Sequence, residues 1–176
     1  MVFRVYPNGA KTVNGAQLEG KDISLINGVV HRIDDVILPA ATNIGEYIAQ
    51  HDTDFKDLFG LLVLGRLFGD LETAGPFTVF APKDSAFEDI TSTLQTLIND
   101  RDALSEVLKY HVISDTFWSV GLTDGMVLQT INGANLTVHI DTNGVTINGA
   151  KVTEADVATS NGVIHVIDKV ITSSSP

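Results

Sequence analysis

The pattern of apolar and polar positions changes character twice along the chain. Phe55, Leu58, Phe59 and Leu62 fall at the three- and four-residue spacing of a helix. Leu94, Leu97 and Ile98, then Leu104, Val107 and Leu108, mark two short amphipathic helices separated by "NDRD". Asn43 and Glu46 have the form of a capping box, a side-chain acceptor with a carboxylate three residues on, and predict a helix start at "IGEYIAQHD"; Ser85 and Glu88 repeat that form. Between these blocks Gly75-Pro76 is a stop. "FTVFAP" then reads as a short strand that sends Phe77, Val79 and Phe80 to the core and ends at Pro82, which has no amide to donate, with Asp84 or Ser85 capping the next helix. From Val112 onward β-forming residues alternate, punctuated by Asn-Gly at 132, 143 and 148, the pair best suited to the positive φ angles of tight hairpins. Helices first and a hairpin-rich sheet afterwards predict an α+β fold.

One phrase occurs twice. "NGVIHVIDKVI" (161–171) has a near copy in "NGVVHRIDDVI" (27–37), and the match extends without a gap over 12–37 and 146–171 with roughly half the positions identical. The offset, 134 residues, is far longer than the roughly 20–50 residues of a solenoid repeat and is the size of a whole domain. The reading is a tandem array cut unevenly: 1–38 as the C-terminal remnant of one unit, 39–172 as a complete unit, and 173–176 as a tail. The remnant carries apolar faces and sheet edges with no partners of its own. It is expected to dock on the complete unit; pairing with the same segment of a second chain, which would make a homodimer, and mobility are the alternatives.

Composition narrows the function. The net charge of −11 opposes phosphate backbones, so no nucleic acid partner is expected. The longest apolar run, "LFGLLVLGRLF" (58–68), is interrupted by Arg66 and falls short of the roughly 20 residues of a membrane span. With no cysteine, disulfides, cysteine-zinc sites and thiol catalysis are excluded together. "GAQLEGKD" (15–22) nearly fits a phosphate-binding loop, but Asp22 stands where the magnesium-binding hydroxyl belongs. Other catalytic fingerprints are absent, and no enzyme is expected. Asn135-Leu136-Thr137 is a glycosylation sequon beside an Asn-Gly turn.

"GPFTVFAPKDSAFEDI" (75–90), "LKYHVI" (108–113) and "NGVIHVIDKVI", in this order and at these separations, resemble the signature stretches of the fasciclin domain. The resemblance implies a wedge of two small β-sheets with N-terminal helices packed alongside, in a secreted or cell-surface protein of adhesion or matrix, often built in tandem. It implies no cofactor, and as partners a neighbouring fasciclin domain and a cell-surface receptor or matrix protein, integrin-type receptors among them. Carried over residue by residue, it makes receptor-binding candidates of Tyr110-His111, of Asp156-Val157 and of the matching Asp22-Ile23. For each, the alternative is a structural role. His165 and His31, each on a strand among aliphatic residues, are read as hydrogen-bonded structural histidines or else as ligands or titrating switches. A second function class, noncatalytic polysaccharide binding, would use Phe117-Trp118 as an exposed aromatic strip, unless the tryptophan is core.

Overall fold

The repeated phrase folds twice, strand for strand. The computed structural model describes residues 2–37, 39–73 and 75–172. Its first four strands, β1 (Phe3–Val5), β2 (Lys11–Val13), β3 (Ala16–Leu25) and β4 (Gly28–Ile33), pair antiparallel in chain order. A helical layer follows: α1 (Ile44–Gln50), α2 (Asp52–Leu64), α3 (Phe68–Leu71), and, after strand β5 (Phe77–Pro82), α4 (Thr91–Asn99) and α5 (Arg101–Lys109). The rest is sheet: β6 (Val112–Ile113), β7 (Val127–Gln129), β8 (Asn135–Asp141), β9 (Gly144–Ile147), β10 (Ala150–Thr159) and β11 (Gly162–Ile167). With β5 these make seven strands in the order β6-β5-β11-β10-β9-β8-β7, antiparallel except where β11 lies parallel to β5. β10 and β11 have the bounds of β3 and β4 moved by the repeat offset. Leu18 faces Ile33 as Val152 faces Ile167, and Ile23 faces Val30 as Val157 faces Ile164. The turn before each long strand is also the same, Asn14-Gly15 and Asn148-Gly149 both lying in the left-handed region that Asn and Gly tolerate.

The Asn43 capping box forms as the sequence predicts: Asn43 Oδ1 accepts the Glu46 amide at 2.8 Å and the Glu46 carboxylate accepts the Asn43 amide at 2.9 Å. Asp100 likewise caps α5 by accepting from the Ala103 amide. The Ser85–Glu88 pair does not form. Residues Asp84–Ile90 make a tighter 3-10 turn that buries Ala86 and Phe87 and leaves Ser85 and Glu88 in solvent, with no side chain capping it. The Asp84 carboxylate instead reaches back to α2, whose backbone breaks at Phe55, and accepts the Asp57 amide just beyond the break at 2.9 Å. A break frees amides as a helix start does, and the carboxylate satisfies one of them.

Two cores lie on opposite sides of the β5–β11 pair. On one, Ile48, Phe55, Leu58, Leu62, Leu104 and Leu108 pack onto Val79, Ile164 and Val166. On the other the sheet closes over itself, so that Leu128, Leu136, Val138 and Ile147 meet Phe80, Ile113 and Ile167. β5 is therefore buried on both faces, Thr78 and Ala81 included, beyond the Phe77, Val79 and Phe80 expected in the core from the sequence. Phe80 and Ile167 are both fully buried. Replacing either by Ala is expected to cost on the order of 2–5 kcal/mol through the cavity left behind. Chemical denaturation measures this, and wild-type midpoints in both variants would show the strand facing to be wrong.

Candidate recognition surface

The chain from Asp115 to Gly121 links β6 to β7 and has little regular structure, so its backbone groups need partners from elsewhere. Three polar side chains of the sheet supply them. Thr78 donates its hydroxyl to the Asp115 carbonyl at 2.6 Å and accepts the Phe117 amide at 2.8 Å. His165, fully buried, lies 2.7 Å by Nε2 from the Phe117 carbonyl and 3.3 Å by Nδ1 from the Asp156 amide. A carbonyl can only accept and an amide only donate, so the imidazole is neutral with its proton on Nε2. Asp156 sits in a bulge of β10 at φ +64, and both its carboxylate oxygens bind Ser119, one of them taking the backbone amide at 2.7 Å. Of these groups His165 and Asp156 were visible in the sequence. Thr78 and Ser119 carry no signal there, because their partners are distant in the chain.

The N-terminal strands close over this segment. Tyr6 and Trp118 are buried against each other and Val163, and the Tyr6 ring lies so close to Gly121 that any side chain there would collide with it. Asn8 donates to the Val120 carbonyl at 2.9 Å, and the Arg4 guanidinium pairs with the Asp115 carboxylate. Residues 2–16 thus pack on the 115–121 segment and on Val163. Trp118 lies under them, so the exposed Phe117-Trp118 strip envisaged for polysaccharide does not exist: aromatic area is covered where it can be. Beside this joint is a cavity of about 590 Å³, lined by Arg4, Asn14, Trp118 and Asn161 among others.

The other candidates divide between interior and surface. Tyr110 is buried; its hydroxyl donates to the Asn135 carbonyl at 3.1 Å and accepts from Asn148 Nδ2 at 2.9 Å. His111 is buried with Nδ1 2.8 Å from the Val107 carbonyl and Nε2 accepting the Ile171 amide at 2.9 Å, a neutral imidazole of the opposite tautomer to His165. Val157 is half-buried against the helical core. Asp22-Ile23, the matching pair, is exposed: Ile23 is 55 % accessible and Asp22 lies 2.7 Å from His31 Nδ1. Asn135, at the start of β8, is exposed as a glycan acceptor must be. The Asn161 side chain ties three elements together. Its Oδ1 accepts the Ile44 amide at 2.9 Å, and its Nδ2 donates to the Leu71 and Thr73 carbonyls at 2.7 and 2.8 Å.

Comparison with known proteins agrees with this architecture. The Fasciclin domain family model matches residues 53–173, and the chain belongs to that family. It is 34% identical to human periostin and 38% identical to transforming growth factor-beta-induced protein ig-h3 of Sus scrofa, each over 94% of the chain but only 20% and 24% of those proteins. The Synechocystis sp. protein sll1483 is 34% identical over 93% of the chain and 88% of its own length. The chain thus spans about a fifth to a quarter of the first two. The FAS1 domain pair of the insect cell adhesion molecule fasciclin I has the same fold, with a TM-score of 0.65 at 21% identity over 97% of this chain and 66% of that one.

Burial holds the His111 pKa down to about 4, although its bond to the Val107 carbonyl works the other way, and burial lowers that of His165 as well. An unfolded chain takes up these protons near pH 6.5, whereas the folded one refuses them until lower pH. The histidines' contribution is therefore fully present above about pH 6.5 and is lost as pH falls, that of His111 by about pH 4 and to the extent of about 3 kcal/mol. Denaturation at stepped pH should show stability falling across this window. The His111→Asn variant, less stable at neutral pH, should show a shallower fall; an unchanged slope would mean that the buried imidazole does not set it.

Proposed function

We propose that the chain is an extracellular adhesion or matrix module that works by noncatalytic protein recognition, with integrin-type receptors the first class to test. The joint carries this reading. Tyr6, Asn8 and Arg4 hold the N-terminal strands on the 115–121 segment, as a module that sets spacing along an array requires. The groups with catalytic chemistry support it from the other side: His111, His165, Asp156 and Tyr110 all spend their hydrogen-bonding capacity inside the fold. Among the described residues no helix is long and apolar enough to cross a membrane. In this reading Asp156 and Tyr110-His111 serve recognition by shaping the surface, and Asn135 is an accessible glycan site. The second reading, polysaccharide binding, draws on the cavity at the joint, which is of ligand size and sets Arg4, Asn14 and Asn161 around an aromatic edge.

A solid-phase screen against integrins, matrix proteins and glycans, with and without divalent cations, separates the two. Cell attachment is expected; glycan binding without it would replace the first reading by the second. Asp156→Ala should lower stability on the order of 1–3 kcal/mol, because the Ser119 amide loses a charged partner, and should weaken attachment in step. Lost attachment at unchanged stability would instead make the carboxylate a direct receptor contact.

A further inference from the structure

Seven Asn-Gly pairs punctuate the chain, beginning at residues 8, 14, 27, 132, 143, 148 and 161. Glycine leaves its own nitrogen unshielded, so this nitrogen can attack the preceding asparagine's side-chain amide whenever that amide is free to turn toward it. The fold withholds that freedom from six of the pairs. Asn8, Asn14, Asn132 and Asn148 hold side-chain hydrogen bonds to groups on neighbouring segments. Asn143 is exposed, but its Nδ2 donates to the Asp141 carboxylate at 3.2 Å, and that charge opposes the amide anion the attack requires.

Asn161 and Asn27 occupy the same place in the two copies of the repeated hairpin. The Asn161 amide is held by α1 and by the chain at the end of α3, and it cannot turn without giving up its bonds to Ile44, Leu71 and Thr73. Gly162 is closed in as well, since a side chain there would overlap the Phe77 carbonyl at 2.0 Å. Asn27 is exposed and, among the described residues, makes no side-chain hydrogen bond. Gly28 has nothing within 4 Å of the place a side chain would take, so both reacting groups stand in solvent.

We propose that Asn27-Gly28 is a self-modification site, at which the tip of the β3–β4 hairpin converts to aspartate and isoaspartate. The deprotonated Gly28 nitrogen bonds to Asn27 Cγ, the bond from Cγ to Nδ2 breaks, and Nδ2 leaves as ammonia with a proton taken from solvent water. A second water opens the cyclic imide that results. Opening at Cγ gives aspartate; opening at the former main-chain carbonyl carbon gives isoaspartate, with the chain routed through Cβ. Water is consumed and ammonia released, and nothing is oxidised or reduced. Isoaspartate adds a methylene to the main chain of the turn that joins Leu25 to Gly28, and either product adds a carboxylate at its tip. The Leu25–Gly28 and Ser24–Val29 pairs, whose register depends on the length of that turn, are the first to be lost. The exposed surface around Ile23 and Val30 is thereby reshaped with age, while the bonds of Asn161 keep the covered hairpin intact. The inference is independent of the adhesive reading.

The test incubates the 176-residue chain at neutral pH and physiological temperature and follows every Asn-Gly by peptide mapping with mass spectrometry that separates aspartate from isoaspartate. Asn27 is expected to convert first, with isoaspartate among its products, and about tenfold or more faster than Asn161, which must open locally before it can react. Gly28→Ala, which the open space accommodates, should slow conversion at 27 and leave the other sites unchanged. In denaturant the gap between Asn27 and Asn161 should narrow, because the hydrogen bonds that hold Asn161 are gone. Earlier conversion at another Asn-Gly, equal rates at 27 and 161 in the folded chain, or a gap of the same size in denaturant overturns the proposal.

Discussion

A neutral imidazole in a closed interior needs a donor on one side and an acceptor on the other, and the fold around β11 is arranged to meet that need for His165. The acceptor is the Phe117 carbonyl and the donor is the Asp156 amide. Meeting it fixes the 115–119 segment against the sheet. Asp156, turned by its left-handed backbone, then holds Ser119 from the same bulge that offers the amide. Burying a polar group without partners costs several times what a typical bond gains, so the network holds together or fails as a unit. Trp118 is presented to Tyr6 as a consequence, and the joint to the N-terminal strands inherits its rigidity from a histidine on another strand.

The two hairpins show how little of a residue's role is its own. Asp22 and His31 repeat Asp156 and His165 in sequence, yet in the open hairpin they meet each other at 2.7 Å in solvent, while in the covered one they reach outward to a loop. The pairing register and the tie between the strand ends survive unchanged. Asp34 bonds to Gln17 as Asp168 bonds to Lys151, because those contacts lie within the hairpin. What differs is everything supplied by β5, the helices and the 115–121 segment.

Under the proposed adhesive reading the consequence is a division of labour. Side chains that resemble recognition motifs in one dimension, Tyr110-His111 and Asp156-Val157, maintain the shape of the unit. The surface itself is left to exposed strands, turns and the joint with the N-terminal strands. Acid sensitivity follows from the same economy, since two neutral histidines in the interior tie stability to pH through groups closed off from the surface.

Local signals were legible because their physics is local. The Asn43–Glu46 box, the Asn-Gly turns, the strand at Phe77–Pro82 and the repeated hairpin are each decided by residues a few positions apart. The Ser85–Glu88 box was a false local signal, because burying Ala86 and Phe87 tightened the turn and a broken helix elsewhere competed for the Asp84 carboxylate. Arg4–Asp115, Tyr6–Trp118 and Asp156–Ser119 could not be read at all, with partners 111, 112 and 37 residues apart. The sequence by itself determined the element types, the hairpin registers and the family. Only the tertiary structure decided which copy of the hairpin is covered and which candidate side chains are spent in the interior, because burial and long-range hydrogen bonds are properties of the neighbours a residue acquires on folding.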